Sequence, residues 1–348
     1  MNAIPGLTRR RRFLVALGLA SLAVAALAGC GATAASTPAA AGKPVESTRP
    51  TPGTSRTVIA ALAPVVYDAP GHYRVGQRWF SFSEPSRAGT GGNEPRRLLT
   101  QVLWPLTPGT GSPAGPRPLL VFAPGFMQCG HPYYQLLAAW ASAGYVVAVV
   151  DFPHSDCLVG PAATETDMVN QPADVSYVIT SLLGLSASHT GPLAGLIGPG
   201  EIGITGQSDG GDTVAAIAAN SCCSDPRVRA VAVLSGAEWP PMPGRYFQTA
   251  PVPMLFTQGS ADTINPAILS VTMYQQDPSP QRFYLDLLGA DHTTPYWGIN
   301  PDEEVVARVT LDFFNRYLLG RNSAAQLMVR DGTVAGVASL SAGSQPAP

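Results

Sequence analysis

Charge is scarce in this chain. Only 13% of its 348 residues are charged, the net charge is −2 at pH 7, and no run of basic residues occurs inside the body. A nucleic-acid partner would need a basic patch or stripe, so none is expected. No internal repeat is visible, so a repeat architecture is not expected either. The single long apolar run, residues 13–28, covers only about 16 positions where a permanent membrane crossing takes roughly 20. Histidine is limited to positions 72, 131, 154, 189 and 292, which restricts the search for a general base.

What is abundant is apolar, small and loop-forming. Hydrophobic residues make up 45%, with 36 glycines and 34 prolines, leaving room for one large domain or two. The first 30 residues read as an export signal: four arginines at 9–12, the apolar run, then small residues. The arginines resemble a twin-arginine signal, although Arg9 stands where Ser or Thr is usual. "LAGC" at 27–30 resembles the bacterial lipobox, which implies cleavage before Cys30 and a lipid on its thiol; an ordinary secretory signal is the alternative. Residues 30–57 are rich in Ala, Thr, Pro, Ser and Gly and read as a tether that buries no core. Residues 58–330 are expected to form the folded domain, and 331–348 a disordered tail. This layout places the protein in the cell envelope, on the outer face of the cytoplasmic membrane, with Cys30 as its contact to lipid.

Within the body, strands and helices alternate. Residues 73–82 and 96–106 read as early, mostly antiparallel strands. The stretches 117–123, 145–151, 202–205, 228–234, 252–257 and 281–287 read as buried strands of a parallel sheet, 145–151 being a continuous apolar run. Helical spacing marks 133–144, 171–185 and 211–219. A further helix starts at Pro301, where Asn300 is placed to cap it and Glu303 to complete a capping box. The fold class is α/β, a mostly parallel central sheet with helices on both faces. Little beyond one helix and a loop separates the fourth strand from residue 202, so no large cap domain is expected. Residues 198–203 fit G-x-G-x-x-G but precede a strand instead of following one, so they read as a loop and no dinucleotide site is assigned.

The residues 206–210, Gly-Gln-Ser-Asp-Gly, match G-x-S-x-G. That pattern alone is weak in a glycine-rich chain, but here it follows a buried strand directly and opens a helix, the context of a nucleophile elbow. A serine hydroxyl needs a base to take its proton, and the base needs an orienting acid. His292 is the histidine that follows the last expected strand, and Asp262 lies just past the preceding one. Asp291 neighbours His292 and faces elsewhere; Asp209, inside the corner, is a competing acid. Oxyanion donors are expected from the N–H of Asp209 and of Phe126, in the loop after the first parallel strand.

The stretches "VFAPGF", "SAGYVVAVVDFP", "QPADVSYVITSL", "GQSDGG", "GSADTINP" and "LLGADHTTP" resemble the α/β-hydrolase superfamily over residues 65–320. The resemblance is strongest to the branch of cutinase-like polyester hydrolases, dienelactone hydrolases and platelet-activating-factor acetylhydrolases. It implies Ser208 as nucleophile, Asp262 and His292 as its partners and Phe126 as an oxyanion donor. The polyester hydrolases usually carry "GHSMGG"; Gln207 and Asp209 depart from that and alter the polarity around the serine.

The family strand order also sets the loops holding Cys129 and Cys157 side by side, which with an oxidising compartment implies a disulfide between them. Zinc on Cys129, His131, His154 and Cys157, or free thiols, are the alternatives. Cys222 and Cys223 form either a vicinal bridge or two thiols. Trp239, Tyr296 and Trp297 follow strand ends on the same edge as Ser208 and are expected to line an apolar pocket, with plain packing as the alternative. The expected function is a serine carboxylic-ester hydrolase working through an acyl-enzyme, with no metal or cofactor. Its substrate would be a small-molecule, lipid or polyester-type ester. The alternatives are an amidase or lactonase using the same residues, or an inactive hydrolase-like binding lipoprotein.

Overall fold

A computed structural model of the chain describes residues 73–88, 94–106 and 115–343. The signal, Cys30 and the tether lie outside the described residues.

Nine strands among the described residues form one sheet. They are β1 (Arg74–Ala88), β2 (Pro95–Leu106), β3 (Arg117–Ala123), β4 (Val146–Asp151), β5 (Ile197–Gln207), β6 (Val228–Leu234), β7 (Met254–Gly259), β8 (Arg282–Leu287) and β9 (Ala338–Ala342), in the spatial order β1-β2-β4-β3-β5-β6-β7-β8-β9. The six strands from β4 to β8 run parallel; β1, β2 and β9 pair antiparallel at the two margins. The helices are α1 (Tyr134–Ser142), α2 (Gln171–Ala187), α3 (Asp209–Ala219), α4 (Ile268–Gln276), α5 (Pro301–Tyr317) and α6 (Ala324–Asp331).

Strand periodicity divides the core into two layers. Leu119, Val121 and Ala123 of β3 face a cluster with Val175, Val178 and Leu182 of α2, Val214 and Ile217 of α3 and Met273 of α4. Leu120 and Phe122 point the other way, to Leu136 and Trp140 of α1, Val306, Val309 and Phe313 of α5 and Met328 of α6. Both faces are thus covered, which is why the centres of these strands carry apolar residues on both faces. Each fully buried Val, Leu or Phe contributes about 1.5–3 kcal/mol before entropy is counted.

One polar tie crosses this packing. Arg96 of β2, 1% exposed, donates to Asp174 of α2 at 2.7 Å and to Asp167 at 2.5 Å. Burial raises the Asp174 carboxyl and the guanidinium offsets part of that. At α5 the expected cap is present: Asn300 Oδ1 accepts the Glu303 N–H at 3.0 Å.

Three expectations need correction. The tail is ordered at 338–342, where β9 pairs with β8; Ala338 is buried and Leu340 packs against the second layer, so the margin strand has an apolar side to hold it. The strand at 282–287 is therefore not the last. Residues 198–200 are not a loop but the start of β5; a register shift against β3 between Arg117 and Leu119 absorbs the extra residues as a bulge. The connection from β4 to β5 holds two 3-10 turns and α2, with no other helix or strand among the described residues. No helix among them is long and apolar enough to cross a membrane.

Candidate active site

The parallel strands deliver their C-terminal ends to one edge. There β5 ends at Gln207, pairing with Leu234, and α3 begins at Asp209. Ser208 alone makes the corner, with φ 56° and ψ −126°, a backbone state that costs a non-glycine residue of order 1–3 kcal/mol. Its N–H donates to Leu234 O at 3.0 Å, and its carbonyl accepts from Asp212 N–H at 3.0 Å, so the strain is held from both sides. Two glycines permit the close crossing. A Cβ on Gly206 would collide with the Gly210 carbonyl, and one on Gly210 with the Ala123 carbonyl.

Two loops from the same edge meet the half-buried serine. Ser208 Oγ lies 2.9 Å from His292 Nε2, and His292 Nδ1 lies 2.7 Å from Asp262 Oδ2. A carboxylate accepts, so Nδ1 carries the hydrogen and Nε2 is left to accept from the serine hydroxyl. Asp262 is fixed in turn. Its Oδ1 accepts the N–H groups of Ile264 and Asn265, each at 2.9 Å, and its Oδ2 also accepts from Gln258 Nε2 at 2.9 Å. Asp262 is 5% and His292 7% exposed, so the chain of bonds is shielded from water where the acid sits and open at the serine.

The loop after β3 presses on the corner. A Cβ on Gly125 would stand 3.2 Å from Ser208 Cβ and 3.0 Å from Gln207 Oε1. This holds Gly125, the residue before Phe126, against Ser208. The loop is fastened twice to the loop after β4: Met127 N–H donates to Ser155 O at 2.7 Å, and Cys129 is disulfide-bonded to Cys157. On the other side the first N–H groups of α3, from Asp209 on, have no acceptor inside the helix and carry its positive end. His292 Nε2 is therefore placed to take the Ser208 hydroxyl proton, and negative charge developing on a group attacked by that oxygen would be met by backbone N–H groups.

The Asp209 side chain turns inward and is 9% exposed. Burial, and then the charge of Glu165, push its carboxyl up to about 7. Asp212, one turn on, is pushed well above its ordinary value by burial, although it accepts the Ala237 N–H at 2.5 Å. The competing-acid reading of Asp209 does not hold: the carboxylate bonded to His292 belongs to Asp262.

The three aromatic candidates separate. Tyr296 is fully buried; its hydroxyl lies 2.9 Å from Ser235 Oγ and donates to Thr257 O at 3.2 Å. It does not line an open pocket, because the 3-10 turn Thr294–Tyr296 directs its ring into the second core layer, where the polar tip finds partners. Trp297 is half-buried and stands edge-on to Tyr133, with ring centroids 6.0 Å apart. Trp239 packs with Met168, Ala216 and Met242. Cys222 and Cys223 are paired with each other, beyond the far end of α3. No group of three or more His, Cys, Asp or Glu placed to hold a metal occurs among the described residues.

Sequence reasoning missed Tyr133 and Gln258 as parts of the site, and read Gln207 only as a change of polarity beside the serine. Gln207 Nε2 donates to the His292 carbonyl at 3.0 Å and lies 3.2 Å from His292 Nε2, and its Oε1 accepts from Tyr133 Oη at 2.7 Å. Burial pushes the Tyr133 phenol up, so it keeps its proton to donate. The available signal was a long polar side chain directly beside the candidate serine, at the end of a strand expected to be buried. No family model matches the chain, and no curated protein matches it.

Proposed function

We propose that the chain is a serine hydrolase of the α/β-hydrolase superfamily that cleaves carboxylic esters. The observation that carries this reading is the unbroken path Asp262–His292–Ser208, at 2.7 and 2.9 Å, ending on a strained serine at a helix N-terminus. Ser208 Oγ attacks the ester carbonyl carbon as His292 Nε2 takes its proton. Asp262 holds the imidazole and stabilises its cation. The tetrahedral oxyanion is met by the N–H groups of Phe126 and Asp209. Collapse expels the alcohol, which receives the proton from His292. Water, deprotonated by the same imidazole, then releases the acid and restores Ser208.

The Cys129–Cys157 disulfide supports the oxidising, extracytoplasmic setting drawn from residues 8–30, with a lipidated Cys30 as anchor. The exposed apolar residues Met127, Leu158, Ile264 and Ile299, all on loops after the C-terminal ends of β3, β4, β7 and β8, support an apolar acyl or alcohol group on the substrate.

The test is hydrolysis of a panel of p-nitrophenyl esters by the purified chain and by Ser208→Ala. Turnover of short-chain esters that is lost in Ser208→Ala is expected. Equal, near-zero turnover in both would remove the enzyme reading; activity on amides or lactones alone would move it to those substrates.

A further inference from the structure

We infer that Gln207 and Tyr133 are positioning residues that join the oxyanion loop to the imidazole base, an inference that rests on the serine-hydrolase reading above. Gln207 ends β5 and is 1% exposed. A buried amide is costly unless its donors and acceptor are used. Here they are used on the site itself. Gly125 N–H donates to Tyr133 Oη at 3.3 Å, Tyr133 Oη donates to Gln207 Oε1 at 2.7 Å, and Gln207 Nε2 donates to His292 O at 3.0 Å. The chain of bonds thus starts one residue before Phe126 and ends on the residue that carries the base.

The orientation of the amide follows from its partners. The His292 carbonyl can only accept, so the nitrogen of Gln207 faces His292 and the oxygen faces Tyr133. The second amide hydrogen is then directed to His292 Nε2, 3.2 Å away, the atom that also accepts from Ser208. A donor at that position opposes the tautomer with hydrogen on Nε2, which would set N–H against N–H. It favours the tautomer with hydrogen on Nδ1, which is the one Asp262 bonds. Asp262 selects the tautomer from one side of the ring and Gln207 from the other. The contact to Nε2 is the longer of the two and gives way when Nε2 takes the serine proton, while the bond to the His292 carbonyl stays. Through Tyr133 the same amide sets the height of the loop at Gly125 against Ser208.

The experiment compares the full chain with Gln207→Met, Gln207→Glu, Tyr133→Phe and the Tyr133→Phe/Gln207→Met double variant. Gln207→Met keeps the volume and removes both bonds; Gln207→Glu keeps an acceptor for Tyr133 and removes the donor to His292. The readouts are kcat and KM on p-nitrophenyl acetate, Tm, and the low-field proton resonance of His292 Nδ1–H, identified by its loss in His292→Ala. Expected for Gln207→Met and Gln207→Glu is a kcat at least tenfold lower, KM within twofold, and a shifted or exchange-broadened resonance. Tyr133→Phe should lose less, and the double variant no more than Gln207→Met alone.

A lower Tm with kcat and the resonance of the folded protein unchanged would make Gln207 a packing residue and overturn the inference. If Gln207→Met does not fold, unchanged kcat and resonance in Tyr133→Phe overturn it equally. Equal activity of wild type and Ser208→Ala would sink the hydrolase reading instead. The resonance needs no substrate and still decides the role of Gln207.

Discussion

Asp262 and His292 stand 30 residues apart in the chain, yet Oδ2 of one lies 2.7 Å from Nδ1 of the other. The aspartate comes from the loop after β7 and the histidine from the loop after β8. These strands are hydrogen-bonded neighbours, Gly259 pairing with Leu287, so both loops leave the sheet side by side.

That contact gives the first prediction. Asp262→Asn presents an amide that holds the opposite tautomer of His292, so kcat on a short ester should fall about ten-thousand-fold with little change in KM. His292→Ala should fall at least as far, and the double variant no further, because the residues act as a unit. Retention of kcat within tenfold in Asp262→Asn would show that the aspartate does not orient the base.

The corner makes a steric prediction. Gly210→Ala drives a methyl group into the Ala123 carbonyl and should destabilise the protein by about 3 kcal/mol. Gly184, on the exposed side of α2, has nothing within 4 Å of its Cβ position; Gly184→Ala should gain about 0.5–1 kcal/mol. Urea unfolding of both variants checks the contrast, and equal midpoints would contradict it.

The two disulfides should differ in worth. Cys129 and Cys157 are separated by 28 residues, so opening their bridge should cost about 3–4 kcal/mol in the chain-entropy model. The Cys222–Cys223 bridge joins adjacent residues and restrains almost no chain. Cys129→Ser/Cys157→Ser should therefore lower Tm by several degrees, and Cys222→Ser/Cys223→Ser far less. The reverse order in a thermal melt would remove the argument.

Asp209 predicts a pH dependence. Its carboxyl is held up to about 7 in the folded protein against an ordinary 3.8. Below about pH 4 both states are protonated and the group has no effect on stability. Between about pH 4 and pH 7 the unfolded chain ionises while the folded group keeps its proton, so wild type loses stability progressively, up to about 4 kcal/mol relative to a neutral side chain, and the loss levels off above 7. Asp209→Asn should match wild type in Tm at pH 4 and exceed it at pH 8. It should also keep more ester turnover at pH 8, since no anion then forms beside the N–H proposed to meet the oxyanion. A Tm difference that stays flat from pH 4 to pH 8 would count against this account.

Much of the architecture was legible because its causes are local. Apolar-rich stretches marked the six parallel strands, and Asn300 marked the start of α5. Ser208 was legible from its glycines and from the strand before it. Asp262 and His292 were legible from order alone, each falling a few residues past a strand that shares the serine's edge. The margin was not: β9, Ala-Ser-Leu-Ser-Ala, has little apolar signal of its own and is a strand because β8 offers it a free edge. For Tyr296 the chain order left a pocket and plain packing both open, and the turn that carries it aims the ring into the core.

By itself the sequence determined the cores of the six parallel strands and the start of α5, since apolar patterning, caps and glycine sterics act within a few residues. It also determined which side chains are delivered to the C-terminal edge. Only the tertiary structure decided where those side chains point. Gln207 and His292 are 85 residues apart and become partners at 3.0 Å only once β8 and its loop are in place. Hydrogen-bond direction depends on the final position of both groups, and no local pattern encodes it.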